Sequence, residues 1–554
     1  MLRKTFLVVG CVIVVVSLLV AGGCGPAPTP QIVEVEKTVV VQQTVVAEQT
    51  VVVEKTVVVE KPVMVTPTAE PAKPTGTLTL GMTAGVNTLD PFMGPELNII
   101  NVVHHINEAL LFLADDGTIQ PGLAESWENL DDTTWRLKLR KDVTFTNGEP
   151  FNADAVIFSW KYSQQPDMLQ KWGFASVQDI VAEDPYTIKV TTKAPDPLFL
   201  MRMGDMAWIV PPKYIGEKGK EYFAEHPIGT GPFKLAEWKK GDRVTLEANT
   251  EYWMPGVPKV AKLVFIAIPE AASRVAALKA GQIDFAYRVE SQFVPDLLYD
   301  QNIKVLRFTV PRVYYYGFNL VNPGKGTPID NEKVRQALAY ALDMQTIIDR
   351  VMEGNGVRIN GPIGNNDFGH DDSVVPFPYD VEKAKALLTE AGYPDGFEID
   401  MGGPAGAYAR GTELCEAAVG YWAKIGVKVN LTMIEAGKYW DDAIARKYPP
   451  IFFDSWSVRT GDSAERIEGL LLKDGSYSNY YDPEVEDLVI KIGGTMDVAK
   501  RKALLSDLQK MLQVKVPVIG MFEPYGFQAI NDRVQGYTPR GAETLYFWNV
   551  SVRD

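Results

Sequence analysis

This 554-residue chain has few residues able to form disulfides or bind metal ions, since it contains only three cysteines and four histidines. Cys11 lies in an apolar N-terminal run, and Cys24 follows that run directly. Without these two, only Cys415 remains, so no internal disulfide can form. Cys415 sits in the apolar helical pattern LCEAAVGYWAKI, which favours an inert buried thiol over a catalytic one.

Common motifs of catalysis and nucleotide binding are also missing. The Gly-x-Ser-x-Gly pattern fails because Glu465 replaces its last glycine, and VNPGKGT lacks the upstream glycine of a phosphate-binding loop. There is no His-Glu-x-x-His, and His104 and His105 are neighbours on a predicted helix, where their side chains would point apart. We predict no enzymatic activity, no cofactor and no resident metal ion.

Basic residues are too few for a nucleic-acid-binding surface. The chain has 55 Lys and Arg against 70 Asp and Glu, a formal net charge of -15. An acidic surface disfavours nucleic acid and is repelled by anionic lipid headgroups.

The N-terminus has the pattern of a bacterial export signal. Arg3 and Lys4 precede an apolar run over 6–21, which sends the rest of the chain to the outside of the plasma membrane. Ala-Gly-Gly-Cys at 21–24 resembles a lipobox, although Ala21 stands where leucine is usual. We predict a signal peptide over 1–23 and a lipid anchor on Cys24; the alternative is an uncleaved apolar anchor.

Residues 24–76 are predicted to form an extended low-complexity tether. Within them a hexad repeats (KTVVVQ, QTVVAE, QTVVVE, KTVVVE, KPVMVT), and a period of six collects no apolar face on a helix. Its recurrent Glu and Lys oppose self-association. The valine content leaves open a self-associating stalk, and with it the reading of a structural or adhesive surface protein.

From Thr77 onwards the composition is that of a globular protein too long for one hydrophobic core. Short strands alternate with amphipathic helices, for example strand TLTLGM, a helix predicted through Ile99, Val103, Ile106 and Leu110, then strand WRLKL. The fold class is therefore α/β, with two or more lobes and a ligand site expected between them.

Five separated segments resemble the bacterial extracellular solute-binding proteins of family 5, which serve dipeptide, oligopeptide and nickel uptake. They are, in order, TLDPF with LAESW and TTWRLKLRKDVTFTNGEPFNADAVIFSW; PIGTGPF; SRVAALKAGQIDF; YYYGFNL with PIDNEKVRQALAYALD; and YDVEKAKALLTEAGYPDGFEI. We read these as architecture: Asn152 and Asp330 are predicted helix N-caps, and Gly281 and Gly392 predicted helix ends.

The resemblance implies a two-lobed periplasmic-binding-protein-like fold (type II) with the extra subdomain of the peptide-binding class. The expected bounds are lobe 1 over 77–312, with the subdomain at about 121–225, lobe 2 over 313–524, and a return to lobe 1 over 525–554. It also implies a monomer that captures a small solute by hinge closure and delivers it to the permease of an ABC importer, whose ATPases are cytoplasmic. Peptide, oligosaccharide, opine and metal chelate remain open as ligands.

The resemblance places the loop after the first strand at the cleft edge, which makes Asn87, Leu89 and Asp90 candidate ligand contacts. Asp90 could equally cap a turn before Pro91. Asn319, near where the family's chain crosses between lobes, is a hinge or cleft candidate; the alternative is a satisfied side chain at a strand end.

From the second lobe the candidates are Trp456, Arg459 and Asp462, with Tyr408 and Arg410 from another loop. In dipeptide binders an Asp three residues after the Trp grips the peptide's amino group, but Arg459 has that spacing here. A guanidinium suits a carboxylate, phosphate or hydroxyl cluster instead. Asp462 could take over the amine, or pair with Arg459 at the surface. Arg410 could meet a carboxylate or simply be solvated.

Replacing the acylated residue tests the anchor. We expect Cys24→Ser to release the body into the medium or to leave an unprocessed precursor, because serine offers no thiol for acylation. Membrane fractionation and the size of the mature chain measure this. Unchanged processing and membrane retention would refute lipidation.

Overall fold

The computed structural model describes residues 73–114, 117–322 and 324–553. The predicted signal peptide, Cys24 and the hexad repeats lie outside these residues. The first strand begins at Thr75, two residues before the expected start of the body at Thr77. None of the helices within the described ranges is long and apolar enough to cross a membrane.

Up to the middle of the body, strands alternate with short helices. The strands are β1 (Thr75–Met82), β2 (Leu111–Leu113), β3 (Ile119–Pro121), β4 (Ala124–Asp131), β5 (Thr134–Leu139), β6 (Val177–Asp184), β7 (Thr187–Thr192), β8 (Phe233–Lys239), β9 (Arg243–Ala248), β10 (Val260–Ala267), β11 (Phe285–Ala286) and β12 (Ile303–Thr309). The helices are α1 (Leu97–Val103), α2 (Ala153–Ser163), α3 (Phe199–Asp205), α4 (Pro212–Lys218), α5 (Lys220–Glu225), α6 (Ala271–Lys279) and α7 (Val294–Leu298).

The remaining chain is richer in helix. Its strands are β13 (Arg312–Phe318), β14 (Gly356–Arg358), β15 (Phe397–Ala405), β16 (Val427–Glu435), β17 (Ile451–Ser457), β18 (Val518–Asn531), β19 (Val534–Gln535) and β20 (Ser551–Val552). Its helices are α8 (Glu332–Tyr340), α9 (Met344–Val351), α10 (Val381–Glu390), α11 (Gly411–Ala423), α12 (Ala436–Ile444), α13 (Ala464–Leu471), α14 (Pro483–Gly493) and α15 (Val498–Lys515).

Strand β18 belongs to both halves of a 12-stranded sheet. Its residues 518–522 pair with β13, and its residues 525–531 pair with β12. The chain crosses between the same halves a second time at residues 310–311, between β12 and β13. We call 73–309 with 525–553 lobe 1, and 312–522 lobe 2. The fold is α/β and two-lobed, as predicted.

Each half of the sheet is covered on both faces by apolar side chains. In lobe 2, one core packs α8 and α11 on the sheet and a second packs α13, α14 and α15 on its other face. A separate four-stranded sheet, in the order β4-β5-β7-β6, belongs to lobe 1. With α2 and α3 it encloses its own core, drawn from residues 92–223. The last residue of α3, Asp205, contacts lobe 2.

Two predictions of helix boundaries are wrong. Helix α1 ends at Val103 rather than continuing to Leu110, because the carbonyls of His105 and Ile106 accept hydrogen bonds from Phe233 and Gly231. A Cβ on Gly231 would lie 2.5 Å from the His105 carbonyl oxygen, so this contact requires glycine.

The other concerns the N-cap of α8. That cap is Asn331, whose side chain accepts from the Lys333 amide, and the predicted Asp330 lies in the preceding 3-10 turn. Asn152 caps α2 as predicted, and Gly281 and Gly392 follow α6 and α10 in left-handed conformations.

Arg466 of α13 fixes the region where the chain enters lobe 2. Its fully buried guanidinium forms a 2.5 Å ion pair with Asp367 and donates to the carbonyl of Pro311 in the crossing. It also donates to the carbonyls of Pro362 and Trp456. One cation therefore joins the crossing, the end of β17 and the loop before Asp367.

We expect Arg466→Met to lower the free energy of unfolding by about 3–5 kcal/mol, because it leaves the Asp367 carboxylate buried and unpaired. Urea denaturation of the folded body measures this. The matched control is Glu398→Gln, which breaks an exposed pair with Lys428 and should change stability by less than about 1 kcal/mol. An equally small effect of Arg466→Met would contradict this role.

Candidate ligand-binding cleft

The loop after β17 brings Arg459 of lobe 2 against lobe 1. Its Nε and Nη2 donate to the two carboxylate oxygens of Asp205, the last residue of α3, over 3.2 and 3.3 Å. The Arg459 side chain is 24% exposed and that of Asp205 11%. Among the described residues, no other ion pair joins the two lobes.

Further charges face each other around this pair. On α3, Arg202 pairs with Asp196 at 3.1 Å and lies close enough to Glu465 and Glu468 of α13 to act on their titration. Burial raises the pKa of both glutamates, and the positive charge of Arg202 partly offsets that effect. The subdomain end of lobe 1 and α13 of lobe 2 thus face each other across the boundary between the lobes.

Next to Asp205 a cavity of about 230 Å³ extends into lobe 1. Its wall is largely aromatic, with Phe112, Trp208, Trp253, Tyr546 and Trp548. The polar residues of the wall include Asp205 and Glu108, which are acidic, together with His104, Asn107, Gln120 and Asn549. The cavity therefore combines flat apolar surfaces with carboxylates.

Glu108 is a buried residue of the cavity wall. Its carboxylate accepts from the Tyr252 hydroxyl at 2.6 Å and from the Trp253 indole at 3.2 Å. Burial raises the pKa of Glu108 to about 7, although these donors and the charge of Arg140 oppose the shift. The carboxyl is therefore neutral in a substantial fraction of molecules near neutral pH.

His104 does not offer a metal site. Its ring stacks on Tyr546 at 4.3 Å, Nε2 lies 2.6 Å from the Leu545 carbonyl, and burial lowers its pKa to about 3. The rings of His104 and His105 lie 4.5 Å apart, so the expectation that they point apart is wrong. The described residues contain no group of three or more side chains placed to hold a metal ion.

The three candidate ligand contacts from lobe 1 are Asn87, Leu89 and Asp90, and they lie at other places in the structure than Arg459. Asn87 lines an open groove of about 510 Å³ whose walls all belong to lobe 1. Leu89 is fully buried in a lobe 1 core. Asp90 is also buried and accepts from the Tyr162 hydroxyl at 2.5 Å and the Phe92 amide at 2.8 Å, the turn-capping arrangement. Their contact with a ligand stays a prediction.

Asn319 is buried at the end of β13 that lies away from the crossing at 310–311. Its side-chain amide donates to the Tyr448 carbonyl at 2.8 Å, and its oxygen accepts from the Asn322 amide at 2.9 Å. These bonds match the alternative of a satisfied strand-end side chain. A hinge or cleft role for Asn319 stays a prediction.

Two further candidates lie on the loop before α11. The Tyr408 hydroxyl donates to buried Asp454 at 2.6 Å, so Tyr408 is held by the end of β17. Arg410 has a left-handed backbone and forms exposed ion pairs with Glu353 and Glu413, both at 3.3 Å. That arrangement matches the solvated alternative for Arg410. Contact of Tyr408 and Arg410 with a ligand stays a prediction.

Trp456 lies near the end of β17 and Arg459 on the loop that follows, whereas Asp462 has a different environment. The Trp456 ring meets Tyr477 edge-on at 5.1 Å and covers Gly469. Asp462 is fully buried and accepts two 2.6 Å bonds from Arg501. A surface pair between Arg459 and Asp462 is therefore wrong, since each has another partner. Asp462 as an amine ligand stays a prediction, although its oxygens are already occupied.

Sequence reasoning missed Asp205, Glu108 and the aromatic wall. Asp205 ends an apolar seven-residue helix, and Tyr546 and Trp548 come from the C-terminal segment. No local pattern distinguishes these residues from ordinary surface acids and core aromatics, because the fold alone brings them together.

Comparison with known proteins identifies related chains. Residues 118–478 match the model for the bacterial extracellular solute-binding proteins, family 5 Middle. Heme-binding protein A of Haemophilus influenzae is 30% identical over 79% of this chain and 86% of its own. The dipeptide-binding protein of Escherichia coli is 28% identical over 80% and 88%. The structure of HbpA2 from Haemophilus parasuis superposes with a TM-score of 0.80 at 27% identity, covering 86% of this chain and all of that one.

The raised pKa of Glu108 predicts a stability difference that depends on pH. The folded state holds this proton more tightly than the unfolded state, so its contribution is complete below about pH 4.5 and is lost as pH rises through about 7. Relative to Glu108→Gln, the wild type should lose up to about 1.4 kcal/mol of unfolding free energy per pH unit in that window. Urea denaturation from pH 4.5 to 8 measures this; parallel curves for the two proteins would contradict it.

Proposed function

This chain belongs to the bacterial extracellular solute-binding proteins of family 5, and from that membership we propose that it captures a small peptide-like solute between its lobes for an ABC importer. The solute would then pass to a permease in the plasma membrane. Family members are binding proteins, and we propose that this chain likewise has no catalytic activity.

The observation that carries the proposal is the Asp205–Arg459 contact between lobes that are joined by only two strand crossings. The crossings are bonded to each other, since the Val310 amide donates to the Pro524 carbonyl at 3.0 Å. Two lobes linked in this way can rotate about one line, and closure brings Arg459 and Asp205 together. A ligand shifts such an equilibrium only through contacts made in the closed form.

The finer parts of the proposal concern location and boundaries. We propose that Cys24 carries a lipid, that the residues from 24 up to the start of β1 at Thr75 tether the body outside the plasma membrane, and that the protein acts as a monomer. We also propose lobe boundaries at 312/313 and 524/525, with the extra subdomain at about 121–225. These boundaries fall next to the two crossings.

We propose Trp456, Arg459 and Tyr408 as the lobe 2 side of the ligand site. Arg459 lies at the lobe contact, on the loop after β17, and Trp456 is the penultimate residue of that strand, which ends at Ser457. Tyr408 is tied to the strand that carries this loop through Asp454. For a second set of residues, a role in ligand binding is proposed from the family resemblance alone: Asn87, Leu89, Asp90, Asn319, Arg410 and Asp462.

A thermal-shift screen of the folded body tests solute capture. The panel contains peptides, oligosaccharides, opines, heme and other metal chelates. A true ligand at about 100 times its dissociation constant should add about 2.7 kcal/mol of stability, because it binds only the folded state. The Glu398→Gln protein, altered at an exposed pair, should respond like the wild type. A panel that leaves the melting temperature unmoved throughout would contradict the proposal.

A further inference from the structure

We infer that the Asp205–Arg459 ion pair marks the seat of a zwitterionic ligand, with the ligand's ammonium group bound by Asp205 of lobe 1 and its carboxylate by Arg459 of lobe 2. The inference rests on the proposed function and adds to it the charge and the orientation of the solute. The pair joining the lobes occupies the place that the two ends of such a ligand would fill.

Both members of the pair depend on the opposite lobe. Among the described residues, neither side chain makes a hydrogen bond to any other group. When the lobes separate, each charge therefore loses its only protein partner while remaining partly shielded from water. A molecule with an ammonium and a carboxylate supplies a partner to each, so it can sit between the lobes where the direct pair forms.

The lobe 1 side favours the positive end of the ligand. Asp205 and Glu108 are the acidic residues of the cavity wall, which Trp208 and Trp548 also line, and an indole ring attracts a cation. Two guanidinium groups also border this wall, and both already have partners. Arg140 donates to the Gly122 carbonyl at 2.8 Å and covers Trp253 at 4.1 Å. Arg540 donates to the Leu113 carbonyl and covers Tyr546 at 4.4 Å. A ligand carboxylate placed against Asp205 would meet like charge.

The lobe 2 side favours the negative end. The planar fork of Arg459 already holds Asp205 through two donors, the geometry that a guanidinium uses for any carboxylate. Glu465 lies nearby, but burial raises its pKa and so weakens its repulsion of a second carboxylate. Relative to dipeptide binders, in which an Asp at this spacing grips the amino group, the ligand's polarity is reversed.

The cavity beside Asp205 has room for the side chain of the ligand's amino-terminal residue. Its volume of about 230 Å³ is that of several water molecules, each of which occupies about 30 Å³ in the liquid. The aromatic wall suits an apolar or aromatic side chain, which would displace this water. The ligand class is therefore a peptide-like zwitterion with an apolar first residue.

Isothermal titration calorimetry tests the orientation with three probes: methionyl-leucine, its N-acetyl derivative and its C-terminal amide. In the wild type each block should weaken binding about tenfold or more, because each removes one charged contact. Asp205→Asn should bind methionyl-leucine more weakly and lose its discrimination against the N-acetyl form only. Arg459→Gln should lose its discrimination against the amide only.

The matched control is Glu398→Gln, an exposed charge removed far from both partners, which should behave as the wild type on all three probes. Thermal unfolding without ligand verifies that each variant folds. If a variant fails to fold, the three probes measured on the wild type still decide whether both charges of the ligand are required. Indifference to both blocks, or loss of amide discrimination in Asp205→Asn, would overturn the inference. So would a wild type that binds only a neutral oligosaccharide, a result that leaves solute capture intact. A wild type that binds no member of the wider panel contradicts the proposed function itself.

Discussion

A single strand, β18, holds the two lobes in one sheet, and the rest of the structure depends on it. Its first residues pair with lobe 2 and its last with lobe 1, so the strand keeps the lobes joined at the crossing even when they rotate apart elsewhere. Pro524 lies between the two sets of pairs, where it contributes no amide but accepts from Val310 of the other crossing. The crossings therefore act as one hinge, and everything distant from them, including α3 and the loop after β17, can move.

Features of the fold that depend on neighbouring residues could be predicted from the sequence, whereas features that depend on distant contacts could not. The N-cap of α2 at Asn152 and the end of α10 before Gly392 depend only on residues close by in the sequence, and both were predicted correctly. The early end of α1 was not, because it is imposed by the strand-like contact of 105–106 with residues 231–233, more than a hundred residues away. Similar reasoning explains Asn331: once Asp330 is drawn into a 3-10 turn, the next polar residue caps α8.

The candidate site shows the same limit more strongly. The unusual arginine at position 459 could be found from sequence because it replaces an expected residue within a local motif. Its partner Asp205 could not, since 254 residues separate them and nothing around Asp205 differs from an ordinary helix end. Conversely, the sequence offered Asp462 as an amine ligand or a surface partner of Arg459, yet the fold buries it and supplies Arg501 as its partner. Local chemistry identifies candidates, but only packing decides which of them have spare bonding capacity.

The contact between Asp205 and Arg459 also sets how much binding free energy a ligand must supply to close the lobes. The Asp205–Arg459 pair stabilises closure without ligand, and a charged hydrogen bond contributes about 1.5–3 kcal/mol. Moving a two-state equilibrium from mostly open to mostly closed requires about 5.5 kcal/mol of differential binding. A ligand that displaced the pair without replacing both contacts would lose the pair's contribution to closure and must offset it elsewhere. One that satisfies both charges keeps this electrostatic link and adds its own apolar burial, so the fold selects for solutes carrying opposite charges at their two ends.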